Sequence, residues 1–131
     1  MEIQLKIIGA LLILLAIVHV IFPKYFNWNQ ELSTLSLINK QMMQIHTLFI
    51  ALTLLLMGIL CVTSSTELTT TILGKRISLG FGIFWGLRLF VQFFGYSSKL
   101  WKGKKFETTV HILFSILWIY LTWTFIKIYL S

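Results

Sequence analysis

The chain has 131 residues, of which 57% are apolar and 11% charged, and its formal net charge is +7. Soluble domains run at roughly 45–50% apolar and about 25% charged, so this sequence is too poor in charge to cover a water-facing surface. Its cations border apolar runs, which points to anionic lipid headgroups and away from nucleic acid, and no RNP, zinc-finger or helix-turn-helix pattern accompanies them.

Four stretches are apolar enough to cross a bilayer, roughly 5–22, 41–62, 77–96 and 109–130. None alternates with period two, so a β-barrel is not expected. The predicted fold is all-α: one transmembrane domain over 1–131, a four-helix bundle with a short interfacial helix between helices 1 and 2.

In the first span, Pro23 is expected to end the helix. No small-x-small cleavage site follows the apolar run, so the span is expected to be retained. The segment Lys24–Lys40 reads as an interfacial helix that runs on into the second span, capped by Asn27 or Asn29, with Tyr25 and Trp28 at headgroup level. Cys61, the only cysteine, cannot form an internal disulfide and reads as a small packing residue. Thr63–Gly74 reads as a Ser/Thr-rich turn and Ser97–Lys105 as a basic turn.

With four spans, both termini share one side. The opposite side holds six lysines (Lys24, Lys40, Lys99, Lys102, Lys104 and Lys105), against Lys6, Lys75, Arg76 and Lys127 on the terminal side. The excess of lysines places the 97–105 loop in the cytoplasm of a bacterial-type inner membrane, with the termini outside.

The ionisable residues inside the spans carry the functional expectation, because such groups are costly in hydrocarbon. Measured from the loop-side ends at 1.5 Å per residue, His19, His46 and His111 lie about 6, 9 and 9 Å deep, Gln92 about 10 Å and Arg88 about 16 Å. All fall in one leaflet. Arg88 and Gln92, four residues apart, share a helix face. A guanidinium at that depth stays charged and needs partners. Three stripes at helical spacing are expected to face inward: Gly9, Leu12, Ala16 and His19; Asn39, Met42, His46, Ile50 and Thr53; and Thr108, His111, Ser115, Trp118 and Thr122. Glu107, one turn before His111, is expected to orient its imidazole, and Gln44 is a further supporting residue.

Three readings follow. In the first, Arg88, Gln92, His46, His111 and Trp28 bind a small amphiphile such as an anionic lipid or a quinone, which the loop lysines gather. In the second, His19, His46 and His111 hold a metal ion, or two of them ligate a b-type haem. In the third, the polar residues only fix helix packing in a structural or accessory subunit. A homodimer or a partner membrane subunit is compatible with each.

Several chemistries are excluded. The sequence has no Asp, and its only carboxylates are Glu2, Glu31, Glu67 and Glu107, so paired-aspartate phosphotransfer or prenyl transfer and a Ser–His–Asp set are impossible. It also lacks a P-loop and a nucleophile elbow.

The run Phe22-Pro23-Lys24-Tyr25-Phe26-Asn27-Trp28, then Glu31-Leu32, Asn39-Lys40-Gln41-Met42-Met43 and His46, resembles that of small four-span bacterial membrane proteins without an assigned activity. So does Phe84-Trp85-Gly86-Leu87-Arg88-Leu89 followed by Gln92-Phe93-Phe94. The resemblance covers most of the chain and implies the four-span fold, but no reaction. The motifs of DoxX-like proteins, small multidrug exporters and fluoride channels are not found.

Overall fold

The structure, a computed structural model, describes residues 2–95 and 103–131. The described residues form six helices: α1 (Glu2–Tyr25), α2 (Trp28–Glu31), α3 (Leu37–Thr63), α4 (Ser65–Thr70), α5 (Ile72–Phe94) and α6 (Lys105–Leu130). Of these, α1, α3, α5 and α6 are long and apolar enough to cross a membrane. The fold class is all-α, as expected, and each long helix begins three to five residues before the span read from the sequence, while α5 ends at Phe94, inside the span read as 77–96.

The chain divides into two compact units, 2–65 and 66–131. In the first, α1 packs against α3. The pairing is antiparallel, since Gly9 meets Gly58 and Val62 while Ala16 and Val20 share a groove with Leu48 and Ala51. A β-carbon on Gly9 would overlap Val62 Cγ2 and stand 2.6 Å from the Gly58 carbonyl, and one on Gly58 would stand 2.8 Å from the Gly9 carbonyl. Small residues thus let the two backbones touch, which is how helices associate where water supplies no hydrophobic drive. The buried face of α3 is Ala51, Leu54, Met57, Gly58 and Cys61, so Cys61 is the packing residue expected.

The second unit pairs α5 with α6, again antiparallel: Phe81 meets Phe125, Trp85 meets Trp118, and Gln92 meets His111. Gly74, Ser78, Gly82, Trp85 and Gln92 are the buried residues of α5, three, four or seven residues apart and so on one helical face. They lie against the face of α6 that includes Ser115, Trp118, Leu121 and Phe125.

Three local expectations are corrected. Pro23 lies inside α1, which runs on to Tyr25. A proline in the last turn withholds one N–H, the one due to the His19 carbonyl, while Phe26 N–H still bonds to the Phe22 carbonyl at 2.9 Å. The interfacial helix is a single turn, α2, that does not continue into α3. Asn27 precedes it with φ 52°, a left-handed conformation that breaks the helix without a side-chain cap, and α3 starts afresh at Ser36, whose hydroxyl accepts the Asn39 N–H. The Ser/Thr-rich turn is itself mostly helical, as α4. Its Thr70 and Thr71 hydroxyls donate to carbonyls one turn back, and Thr71 then caps α5 by accepting the Gly74 N–H at 2.9 Å. Most of the basic turn, including Lys99 and Lys102, lies outside the described residues.

Candidate functional site

Arg88, Gln92 and His111 meet in the α5–α6 pair. Four residues apart on α5, Arg88 donates through Nη1 to Gln92 Oε1 at 3.2 Å. Gln92, only 6% exposed, donates through Nε2 to His111 Nδ1 at 3.0 Å and approaches the His111 backbone carbonyl at 3.4 Å. That carbonyl also accepts the Ser115 hydroxyl at 2.7 Å. The side chain set against the imidazole is therefore Gln92, and Phe93 presents its ring edge-on at 6.0 Å. Glu107, which was expected to orient the ring, is exposed in the first turn of α6.

Arg88 also lies over the Trp118 ring, with Cζ 5.1 Å from its centroid. Trp118 is stacked against Trp85 at 4.9 Å and 11°, and against Phe114 at 5.5 Å and 25°. An aromatic face answers the guanidinium charge where water is scarce. Trp118 is 3% exposed, and its indole N–H is buried without a hydrogen-bond partner among the described residues. A buried donor left unsatisfied costs about 1–3 kcal/mol, so it is an uncommon feature of a settled interior.

His19 and His46 belong to the 2–65 unit. His19 is half-buried, donates from Nδ1 to the Leu15 carbonyl at 2.9 Å, and packs on Phe22 at 4.6 Å. The first-helix stripe is inward, with Gly9, Leu12 and Ala16 buried. The α6 stripe is inward too. The α3 stripe is not: Asn39, Met42, His46, Ile50 and Thr53 are all exposed. Thr53 has no need of an interior partner, because its hydroxyl donates to its own helix at Phe49. Gln44 is half-buried, and Trp28 is 8% exposed in α2, which folds back on α1. Among the described residues, no three His, Cys, Asp or Glu side chains are placed to hold a metal ion. Trp85 was not singled out from the sequence as a site residue. The spacing Trp85-x-x-Arg88-x-x-x-Gln92, one helical face, was the signal for it.

These features define an all-α protein with four helices able to cross a membrane and a polar, aromatic-lined cluster within one pair of them. No family model, curated protein or solved structure matches the chain.

Proposed function

We propose that the chain is a multi-pass membrane protein that binds the polar head of a small amphiphile, a lipid or a quinone, at Arg88, Gln92, His111 and Trp118. One observation carries this reading. A guanidinium within a membrane-length helix lies over Trp118, whose buried indole N–H has no hydrogen-bond partner among the described residues. Packing alone accounts for the Arg88–Gln92–His111 links and leaves that donor unexplained, whereas a bound head with an oxygen near it would satisfy it. Intramembrane charges of this kind mark binding sites and pathways more often than they serve stability. Lys104 and Lys105, at the start of α6, add positive charge on the same side as His111.

The test is binding to the full chain in lipid nanodiscs, with a short-tailed benzoquinone and with phosphatidylglycerol as probes. Arg88→Leu is expected to weaken binding of the active probe at least about tenfold, the weight of one charge-assisted contact. His46→Leu, on the exposed face of α3, is expected to leave it unchanged. If Arg88→Leu lowers only the stability and the wild type binds neither probe, the cluster is a packing device and the binding role is wrong.

A further inference from the structure

The corner between α1 and α2 holds a polar notch of about 310 Å3, lined by Pro23, Lys24, Asn27 and Asn29. That volume is at the lower end of the range for ligand pockets, roughly 300–1,000 Å3. The backbone builds it. α1 ends at Tyr25, and Asn27 then takes φ 52° before α2 begins at Trp28. A left-handed corner suits glycine best. Asparagine stands there instead, and its amide does not cap α2. Lys24, Asn27 and Asn29 are exposed, and among the described residues no hydrogen bond or ion pair engages their side chains. The notch thus offers one ammonium and two amide NH2 groups. No carboxylate lines it, since Glu31, at the far end of α2, stays outside. A single uncompensated cation with amide donors beside it suits the oxygens of an anion.

The setting of the notch names the source of that anion. α1 has 24 residues, about 36 Å, against about 30 Å of hydrocarbon, so its last residues stand at headgroup level when it spans a bilayer. Tyr25 and Phe26, next to the lining residues in the chain, are 65% and 51% exposed, and their rings meet edge-on at 4.9 Å. Exposed aromatic rings at a helix end are the anchors of the membrane interface. We propose that the notch seats the phosphate head of an anionic phospholipid, with Lys24 supplying the charge and the Asn27 and Asn29 amides donating to phosphate oxygens. The site shares no residue with the Arg88 cluster, and it lies in the 2–65 unit.

The experiment measures association of spin-labelled phosphatidylglycerol and phosphatidylcholine with the full chain in phosphatidylcholine nanodiscs. Lys24→Gln is expected to lower the preference for phosphatidylglycerol about fivefold, the weight of one lysine against an anionic surface. Lys6→Gln removes the same charge from the other end of α1 and is expected to leave the preference unchanged. Asn27→Gly keeps the left-handed corner while deleting the amide, and is expected to lower it about threefold, the weight of one hydrogen bond. Arg88→Leu, in the other unit, is expected to leave the effect of Lys24→Gln intact, which separates this site from the amphiphile site. In protein labelled with nitrogen-15 at its three asparagines, the Asn27 amide is expected to show phosphorus-31 dephasing that Lys24→Gln abolishes. Equal losses from Lys24→Gln and Lys6→Gln would reduce the effect to diffuse attraction by the +7 chain and overturn the proposal. So would the absence of any preference. Displacement of the labelled lipid by inorganic phosphate at matched concentration would make the free ion the ligand and overturn the lipid source. If Lys24→Gln does not fold, the wild-type dephasing and Asn27→Gly decide.

Discussion

Trp85 on α5 and Trp118 on α6 lie nearly parallel, 4.9 Å between centroids, and Arg88 rests over the second of these rings. Both indoles are buried, so the stack is at once the centre of the α5–α6 contact and the seat of the charged group. Trp85→Ala removes one ring from it. A loss of about 3–5 kcal/mol is expected from the cavity left behind, read by reversible unfolding in mixed micelles. A loss below 1 kcal/mol would mean that the stack does not hold the pair together.

The Gln92–His111 bond is a separate contribution and a smaller one. Side-chain hydrogen bonds between membrane helices average about 0.6 kcal/mol and reach about 1.7 kcal/mol. A double-mutant cycle with Gln92→Leu and His111→Phe should give a coupling in that range, with the larger value favoured because Gln92 is also tied to Arg88. Zero coupling would show that the two side chains act independently.

In the other pair, Gly9 and Gly58 bring two backbones into contact, and a methyl group at Gly9 would collide with Val62 and the Gly58 carbonyl. Gly9→Ala should therefore destabilise α1–α3 packing by about 1–3 kcal/mol. Gly80→Ala is the control. Nothing lies within 4 Å of the added carbon there, and the change should be neutral or stabilise by up to about 1 kcal/mol through helix propensity. Thermal unfolding of the two variants side by side measures the difference, and equal effects would refute the close approach.

Asn27 holds φ 52° between α1 and α2. Asn27→Gly should keep stability within a few tenths of a kcal/mol or raise it, whereas Asn27→Val should cost about 1–2 kcal/mol, because a branched side chain resists that conformation. Chemical denaturation of the two variants checks the order, and the reverse order would mean that the corner has another shape.

The spans were legible because runs of about 20 apolar residues have few alternatives. Which face of each turns inward was legible only in part. In α1 and α6 the small or polar residues marked the buried side, as Gly9, Ala16, Ser115 and Trp118 show. In α3 the polar residues misled. Thr53 satisfies its hydroxyl on its own backbone and can face outward, while Ala51, Gly58 and Cys61 mark the face that packs. The helix breaks were hard for a related reason. Pro23 forbids one hydrogen bond, and a helix about to end loses little by that. Arg88, Gln92 and His111 were named from their depth in one group with His19 and His46, which belong to the other unit, and Arg88 and Gln92 also from their spacing. That Gln92 would serve both neighbours at once depends on the register of α5 against α6, which no local pattern encodes.

The membrane-length helices pack in consecutive pairs in order of emergence from the ribosome, α1 with α3 and α5 with α6. A nascent chain can therefore hand its spans to the translocon two at a time. A helix bearing Arg88 is a poor candidate for release into lipid alone, and His111 follows it on the very next long segment. Lateral exit of α5 is expected to wait for α6, so that the charge leaves the aqueous channel already in company.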